Sequence, residues 1–294
     1  MSWFNGFEPI VQTDVPLDQY VWYRLGGPAR WLCEPRDEAE LADLMRRLRE
    51  HDIDWRILGA GANVIVRDAG FDGAVIRLAG PAFENIAFDG PVVKAWAGVD
   101  FAALIKASLK RNLIGLEVFA GIPGSVGGVV RQNAGGRRGE IGSFVQAARV
   151  LNADGSAVTL DANQMGFKYR HTNLDDRIIL AADFALREGD GFQAMLRYRE
   201  IFAEKQRSQP TFAARTAGCI FKNPPQGAPA GRLLDDAGLK GMRVGGAEIS
   251  TLHANFILAH DDAVAEDVLQ LISLAKERVL KTTGVELQPE VDIW

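Results

Sequence analysis

The sequence predicts an α+β fold in two parts, and three observations predict it. Short β-branched runs alternate with short amphipathic runs along all 294 residues, with no internal repeat and no low-complexity stretch; strand and helix periods mixed in short units are the α+β pattern. Glycine gathers at two places between these runs, GAGAN at 59–63 and GIPGSVGGVVRQNAGG at 121–136. The texture then changes at Glu188-Gly189-Asp190-Gly191, a junction rich in turn formers. The expected organisation is an N-terminal segment over 1–20, a glycine-loop domain over 21–188 and a smaller α/β domain over 189–294.

Each element has a local reason. Residues 1–20 are polar and read as irregular. Gly26-Gly27-Pro28 marks a tight turn, and the alternation over 29–33 a short strand. Asp37 is a helix N-cap with Glu40 as its capping-box partner, and Leu41, Leu44, Met45 and Leu48 recur at helical spacing. A strand over 55–58 enters the first glycine loop and Val64-Ile65-Val66 leaves it as strand. Further strands are expected over 74–78, 92–97, 144–151, 157–160 and 178–186, with Ala153-Asp154-Gly155 as a hairpin turn. Asp100 caps a helix ending at Leu109, with Leu104, Ile105 and Leu109 on its buried face. Beyond the junction come a charged helix over 192–206, a helix near 232–237 and a strand-rich stretch over 248–259. The last helix is the clearest. Asp261 or Asp262 caps it, Val264, Val268, Leu271, Ile272, Ala275 and Val279 form its stripe, and Gly284 stops it. The chain then closes in a strand, VELQPEVDIW, carrying Glu290.

The glycine stretches are the first pointers to chemistry. Without a Cβ the backbone takes positive φ freely and presses against a ligand, and consecutive N–H groups in such a loop form a concave anion site suited to a diphosphate. The 121–136 stretch is therefore a candidate cofactor loop. The 59–63 stretch is not a dinucleotide fingerprint: that motif needs a third glycine opening a helix, and here Val64 opens a β-branched run. Read alone, it is either a phosphate-binding turn or an ordinary glycine turn.

Composition narrows the partners. Net charge is −5 and the isoelectric point about 5.5, which disfavours nucleic acid. No run of apolar residues is long enough to span a membrane. The opening MSWFNGFEPI lacks a basic region followed by an apolar core. With Cys33 and Cys219 far apart, a reduced, cytoplasmic chain is expected. The two cysteines and four histidines (His51, His171, His253, His260) fit no ligand spacing, so no metal is expected.

Four side chains in two polar stretches, and one near the end, have catalytic chemistry available. In AGCIFKNP at 217–224, Cys219 is a protonated donor at its ordinary pKa of about 8.5, a thiolate if Lys222 lowers that value, or a small buried residue. Lys222 and Asn223 suit phosphate or amide recognition, or ordinary surface duty. In the loop GFKYRHTN at 166–173, Arg170 offers a planar fork for a carboxylate or is a structural arginine. Glu290 is a general acid, a charge partner or a solvated carboxylate.

Taken together, the motifs resemble the UDP-N-acetylenolpyruvoylglucosamine reductase family. The parts are RLGGPA from Arg24, LGAGANVIVRD from Leu58, GLEVFAGIPGSVGGVVRQNAGG from Gly115, GFKYRHTN from Gly166, RSQP from Arg207, AGCIFKNP from Ala217, AGLKGMRVGGAEIS from Ala237, HANFI from His253 and LQPEV from Leu287. So many ordered motifs are specific, and they span nearly the whole chain. The resemblance implies a two-lobed FAD-binding domain of the vanillyl-alcohol-oxidase (PCMH) type, with lobes about 21–80 and 81–188, followed by a smaller C-terminal α/β substrate domain. The absence of tyrosine after Tyr198 points to the family's shorter subclass.

The implied activity is NADPH-dependent reduction of UDP-N-acetylglucosamine enolpyruvate to UDP-N-acetylmuramate through bound FAD, in peptidoglycan precursor synthesis, by a protein expected to be a monomer. Another FAD-dependent oxidoreductase on the same fold is the alternative. By resemblance, Arg170 and Glu290 stabilise an enolate-like intermediate, Cys219 protonates C2, and Tyr169, Lys222 and Asn223 meet the substrate. FAD contacts fall on Gly59, Ala60, Gly61, Ala62 and Asn63, on Gly121, Ile122, Pro123, Gly124, Ser125, Gly127 and Gly128, and on Asn133, Ala134 and Gly135. The sequence departs from the family pattern at Cys219 and Ala62, both usually serine, at Ser125, usually threonine, and at Gly136-Arg137-Arg138, usually more apolar.

Overall fold

The alternation of short strands and helices is what the computed structural model shows over the residues it describes, 3–294. The chain divides into two units: residues up to Thr13, Trp31–Ala60 and Asp72–Glu204 form the first, and Asp14–Arg30, Gly61–Phe71 and Lys205–Trp294 the second.

The first unit is built on two larger sheets, each with its own core. One sheet orders its strands Val11–Pro16, Pro28–Cys33, Phe71–Ile76 and Trp55–Ile57, the last two parallel. Three of these strands, the first three in that order, carry the points where the chain passes to the second unit. The helix Glu38–Glu50 has its expected N-cap, Asp37 accepting from the Glu40 N–H at 2.9 Å, but Glu40 does not complete a capping box: its carboxylate accepts from the Arg36 N–H at 2.6 Å instead. Its stripe of Leu41, Leu44, Met45 and Leu48 is buried with Cys33, Ala74, Ile76 and Phe83. The other sheet is antiparallel throughout, in the order Ala157–Asp161, Val145–Leu151, Ile178–Ala185, Val92–Trp96, Ile86–Asp89. The helix Phe101–Leu109, capped by Asp100 on the Ala103 N–H at 2.7 Å, packs Phe101, Leu104 and Ile105 into the core with Phe119, Val126 and Phe184. Each such side chain leaving water is worth about 1.5–3 kcal/mol.

The second unit is built on the helix Ala265–Thr283. Val268, Leu271, Ile272, Ala275 and Val279 form its buried stripe, and Gly284, at φ 73°, ends it. Against it lie the helix Ala230–Asp236 and an antiparallel sheet of Arg243–Val244, Ala247–Ile249 and Ile257–Ala259. Residues from early in the chain complete this core: Tyr23, Leu25 and Ile65. The Tyr23 hydroxyl donates to the Ile257 carbonyl at 3.0 Å. Arg215 clips the same segment, donating to the carbonyls of Tyr23, Arg24 and His260, each at 3.0 Å.

Four further expectations need revision. The C-terminal segment of the second unit begins at Lys205, not near residue 188, because Ala194, Tyr198 and Ile201 of the helix Gly191–Ser208 pack into the core of the five-stranded sheet. Within the N-terminal segment, whose residues 1 and 2 lie outside the described ones, Val11–Pro16 is not irregular but a strand whose polar residues are exposed, as suits its place at the sheet edge. Neither Asp261 nor Asp262 caps the last helix. The Asp68 carboxylate does so from 197 residues away, accepting from the Ala265 and Glu266 N–H groups at 2.9 and 3.0 Å. At the C-terminus only Asp292–Ile293 is strand, parallel to Val64–Ile65, and Glu290 lies just before it.

Candidate active site

Unit 1 lays the two glycine loops side by side. A Cβ on Gly59 would come 2.6 Å from the Ser125 hydroxyl oxygen, so this close approach depends on residue 59 having no side chain. Gly121 and Gly124, at φ 73° and 138°, turn the chain around Ile122 and Pro123. Ser125 then leads in extended conformation into the helix Val126–Arg131, without capping it. The first N–H groups of that helix are taken: Val126 donates to the Val99 carbonyl at 2.8 Å and Gly127 to that of Ala97 at 2.9 Å. Gly127 is small for packing, since a Cβ there would sit 3.0 Å from the Ala97 Cβ, whereas at Gly128 the nearest atom would be 3.7 Å away. The Ile122 N–H is likewise held by the Phe119 carbonyl at 3.0 Å.

The chain after this helix brings Arg170 to the same stretch. Asn133 is buried at φ 42°. Its amide donates to Glu140 Oε2 at 2.8 Å and to the Lys168 carbonyl at 2.9 Å, and accepts from the Gly142 N–H at 2.9 Å. Both amide hydrogens therefore serve the protein, and cofactor contact here would fall to the backbone. Ala134 and Gly135 are pinned in turn: the Ala134 N–H donates to the Val129 carbonyl and its carbonyl accepts from Ile141, while a Cβ on Gly135 would lie 2.3 Å from the Gly139 carbonyl oxygen. Across from them the loop 166–173 closes on a Lys168–His171 pair, each N–H bonded to the other's carbonyl at 3.0 Å. Arg170, inside that pair, sits at φ 52°, a conformation costly for a side-chain-bearing residue. Its Nη2 donates to the Gly135 carbonyl at 2.9 Å, and its guanidinium carbon lies 5.0 Å from the centre of the half-exposed Tyr169 ring.

Unit 2 brings together the remaining candidates. Cys219 bridges to Phe256, and Phe221 to Pro289, so three short extended stretches run alongside one another. The Glu290 N–H donates to the Ile220 carbonyl at 2.7 Å and the Lys222 N–H to that of Gln288 at 2.9 Å, which sets Glu290 one residue from Cys219 across the pairing. Gly218, at φ 76°, turns the chain into the partly exposed Cys219. Asn223 Oδ1 accepts from the Ala230 N–H at 3.0 Å, at the start of the helix Ala230–Asp236. Cys33 is different in kind: it is buried, and burial pushes its thiol up to about 12.

The 59–63 loop has two roles. The division between the units falls within it, after Ala60. Gly61, at φ 65°, is packed so that a Cβ would lie 2.1 Å from the Tyr20 carbonyl oxygen. Asn63 turns its amide to Glu290, donating to that residue's carbonyl at 3.1 Å, while its own carbonyl accepts from the Asp292 N–H at 2.9 Å. The resemblance assigns Asn63 to the cofactor; its side chain holds the backbone of Glu290. Asn255 was not singled out from sequence at all, although the HANFI motif contains it.

Residues 209–294 match the family model for the C-terminal domain of UDP-N-acetylenolpyruvoylglucosamine reductase, and 29–161 match a model for an FAD binding domain. Across 281 residues the chain is 39% identical to the UDP-N-acetylenolpyruvoylglucosamine reductase of Heliobacterium modesticaldum, covering 95% of this chain and 88% of the relative. The chain belongs to the UDP-N-acetylenolpyruvoylglucosamine reductase family. A reductase of that name from Syntrophus aciditrophicus is 42% identical over 96% of this chain and 91% of its own length. The crystal structure of the Thermus caldophilus reductase superposes with a TM-score of 0.83 at 36% identity, covering 95% of this chain and 97% of that one. The expected α+β fold, an FAD-binding domain followed by the family's C-terminal domain, is the fold of this reductase family, and the chain is an FAD-dependent oxidoreductase. Gly59 meets the Ser125 hydroxyl, and Gly121 and Gly124 turn the second loop at positive φ without side chains of their own, a backbone that a cofactor can approach closely.

Proposed function

We propose that this chain reduces UDP-N-acetylglucosamine enolpyruvate to UDP-N-acetylmuramate with NADPH as reductant. The observation that carries the reading is the pairing that puts the Glu290 N–H on the Ile220 carbonyl at 2.7 Å, one residue along the chain from Cys219. A proton donor and a carboxylate on adjoining stretches are what addition of H⁻ and H⁺ across an enol ether needs. FAD, when bound, supplies the relay that accepts hydride from the nicotinamide and passes hydride to C3 of the enolpyruvyl group.

The chain's residues supply the rest. Main-chain N–H groups around Gly59, Ala60, Gly124 and Ser125 hold the cofactor diphosphate. Arg170, held by Gly135 and stacked on Tyr169, presents a planar fork to the substrate carboxylate. Arg170 and Glu290 stabilise charge that develops at C2 and its carboxylate as hydride arrives. The Cys219 thiol gives its proton to C2, so the product gains one hydride at C3 and one proton at C2. Lys222 and Asn223 recognise the nucleotide diphosphate. The enzyme works as a cytoplasmic monomer; among the described residues no helix is long and apolar enough to cross a membrane.

The test is anaerobic and spectroscopic. The purified protein should carry the visible absorption of FAD, lose it on adding NADPH, and regain it on adding UDP-N-acetylglucosamine enolpyruvate. Bleaching that only a different acceptor reverses would instead identify another flavin oxidoreductase of this fold.

A further inference from the structure

Asn255 is a buried polar residue with no part in the chemistry above, yet it is bonded to the segment that carries that chemistry. Its side chain is 3% exposed. Oδ1 accepts from the Phe221 N–H at 2.9 Å and Nδ2 donates to the Phe221 carbonyl at 2.8 Å, while its own main-chain carbonyl accepts from the Ile220 N–H at 2.9 Å. The carboxamide thus behaves as an additional peptide group, pairing with both polar atoms of one residue as a neighbouring strand would. The amide of asparagine or glutamine offers a donor and an acceptor on one planar group without titrating, and asparagine's short stem holds them close to the backbone.

The position of this clamp matters more than its strength. Residues 220 and 221 stand between Cys219 on one side and Lys222 on the other. The Ile220 carbonyl accepts the Glu290 N–H, Phe221 bridges to Pro289, and Cys219 bridges to Phe256, the residue after Asn255. One side chain therefore fixes the stretch from which Cys219 projects and on which Glu290 is hung. We infer that Asn255 is a positioning residue that sets the register of Cys219 against Glu290 for the proton-delivery half of the reaction. The inference rests on the donor role proposed for Cys219.

Two variants test it in the flavin-loaded enzyme, with the two half-reactions measured separately. In Asn255→Ala the clamp is gone. Flavin reduction by NADPH should stay within about threefold of wild type, while flavin reoxidation by the enolpyruvyl substrate slows by about 10²-fold, the cost of misplacing a reacting group by roughly an ångström, and KM changes far less than kcat. The alkylation rate of the Cys219 thiol should change as well, which reports its placement without turnover. Asn255→Asp covers the case in which the alanine variant does not fold. Protonated, the carboxyl keeps a donor for the Phe221 carbonyl and an acceptor for its N–H; ionised, it has no donor and repels that carbonyl. Reoxidation in this variant should therefore fall as pH rises through a new ionisation absent from wild type, with reduction by NADPH unchanged.

Wild-type reoxidation rates and thiol reactivity in both variants would overturn the inference. So would variants that hold no flavin at any pH, which would assign Asn255 to the stability of the unit alone. Cys219→Ala separates the two levels: full reoxidation in that variant removes the proposed donor itself, whereas lost reoxidation there with normal rates in the Asn255 variants removes only the positioning role.

Discussion

The glycine loops of unit 1 and the Cys219 stretch of unit 2 place functional groups by opposite means. In the loops the surface proposed for the cofactor is main chain, and close approach comes from missing side chains: Gly59 against Ser125, Gly127 against Ala97. In the Cys219 stretch the groups proposed to react are side chains, and polar side chains hold the backbone around them: Asn255 on Phe221, Asn63 on Glu290. Where backbone binds, substitution should fail by crowding. Where side chains react, it should fail by loss of chemistry while the fold survives.

The sharpest break of that comparison is Cys219→Ala. It should lower turnover by about 10²–10⁴-fold, the usual worth of a positioned proton donor, with the melting temperature and the flavin spectrum unchanged. Cys219→Ser should restore activity with a shifted alkaline limb; stopped-flow reoxidation against pH reads both, and undiminished turnover in the alanine variant would remove the side-chain half of the contrast. Next comes crowding. Gly61→Ala adds a Cβ 2.1 Å from the Tyr20 carbonyl oxygen at a left-handed residue, which should cost about 2–4 kcal/mol as overpacking adds to backbone strain. Thermal unfolding and flavin retention measure it, and an unchanged melting temperature would show that the loop yields easily.

A smaller effect is expected at Asp68→Ala, which strips the cap from the helix Ala265–Thr283 and should cost about 0.5–2 kcal/mol; denaturant melts give the value. The smallest concerns pH. A hydrogen bond from His260 at 2.9 Å, together with the Arg243 guanidinium, holds the Glu248 carboxyl below its ordinary value. A depressed carboxyl stabilises the fold above its unfolded value, about 4.3, and that stabilisation is lost as pH falls through the lower folded value. Glu248→Gln should therefore cost about 0.2–1 kcal/mol at neutral pH, as exposed pairs do, with the difference from wild type closing in acid. A constant difference across the pH range would assign the effect to packing.

What was legible in the sequence was local. Asp37 with Glu40, Asp100 with Ala103 and the stripe from Val268 to Val279 are decided within a few residues, and the helices they predict are present. The edge strand Val11–Pro16 left no alternation to read because Gln12, Thr13 and Asp14 are polar and exposed in a row. The Asp68 cap was beyond reach because 197 residues separate donor from acceptor. In the candidate site, residue chemistry alone left Arg170, Cys219 and Glu290 each with an ordinary alternative, and only the order of many motifs tied them together. Asn255 gave no sign, because a clamp on a backbone is a property of where Phe221 lies, and no spacing encodes that.

The second unit also sets the order in which the molecule can be made. Tyr23 bonds to Ile257 across 234 positions, and Asp68 caps a helix that begins at Ala265. A polypeptide emerging from the ribosome therefore holds Tyr23, Leu25, Ile65 and Asp68 without their C-terminal partners until synthesis is nearly finished. Pairings of such long range are slow to close, and their apolar residues stay exposed meanwhile. The last 86 residues, although matched as a family domain in their own right, lack Tyr23, Leu25 and Ile65 of their core. Expressed alone, that fragment would leave the hole those three side chains fill, and should melt less cooperatively than the full chain.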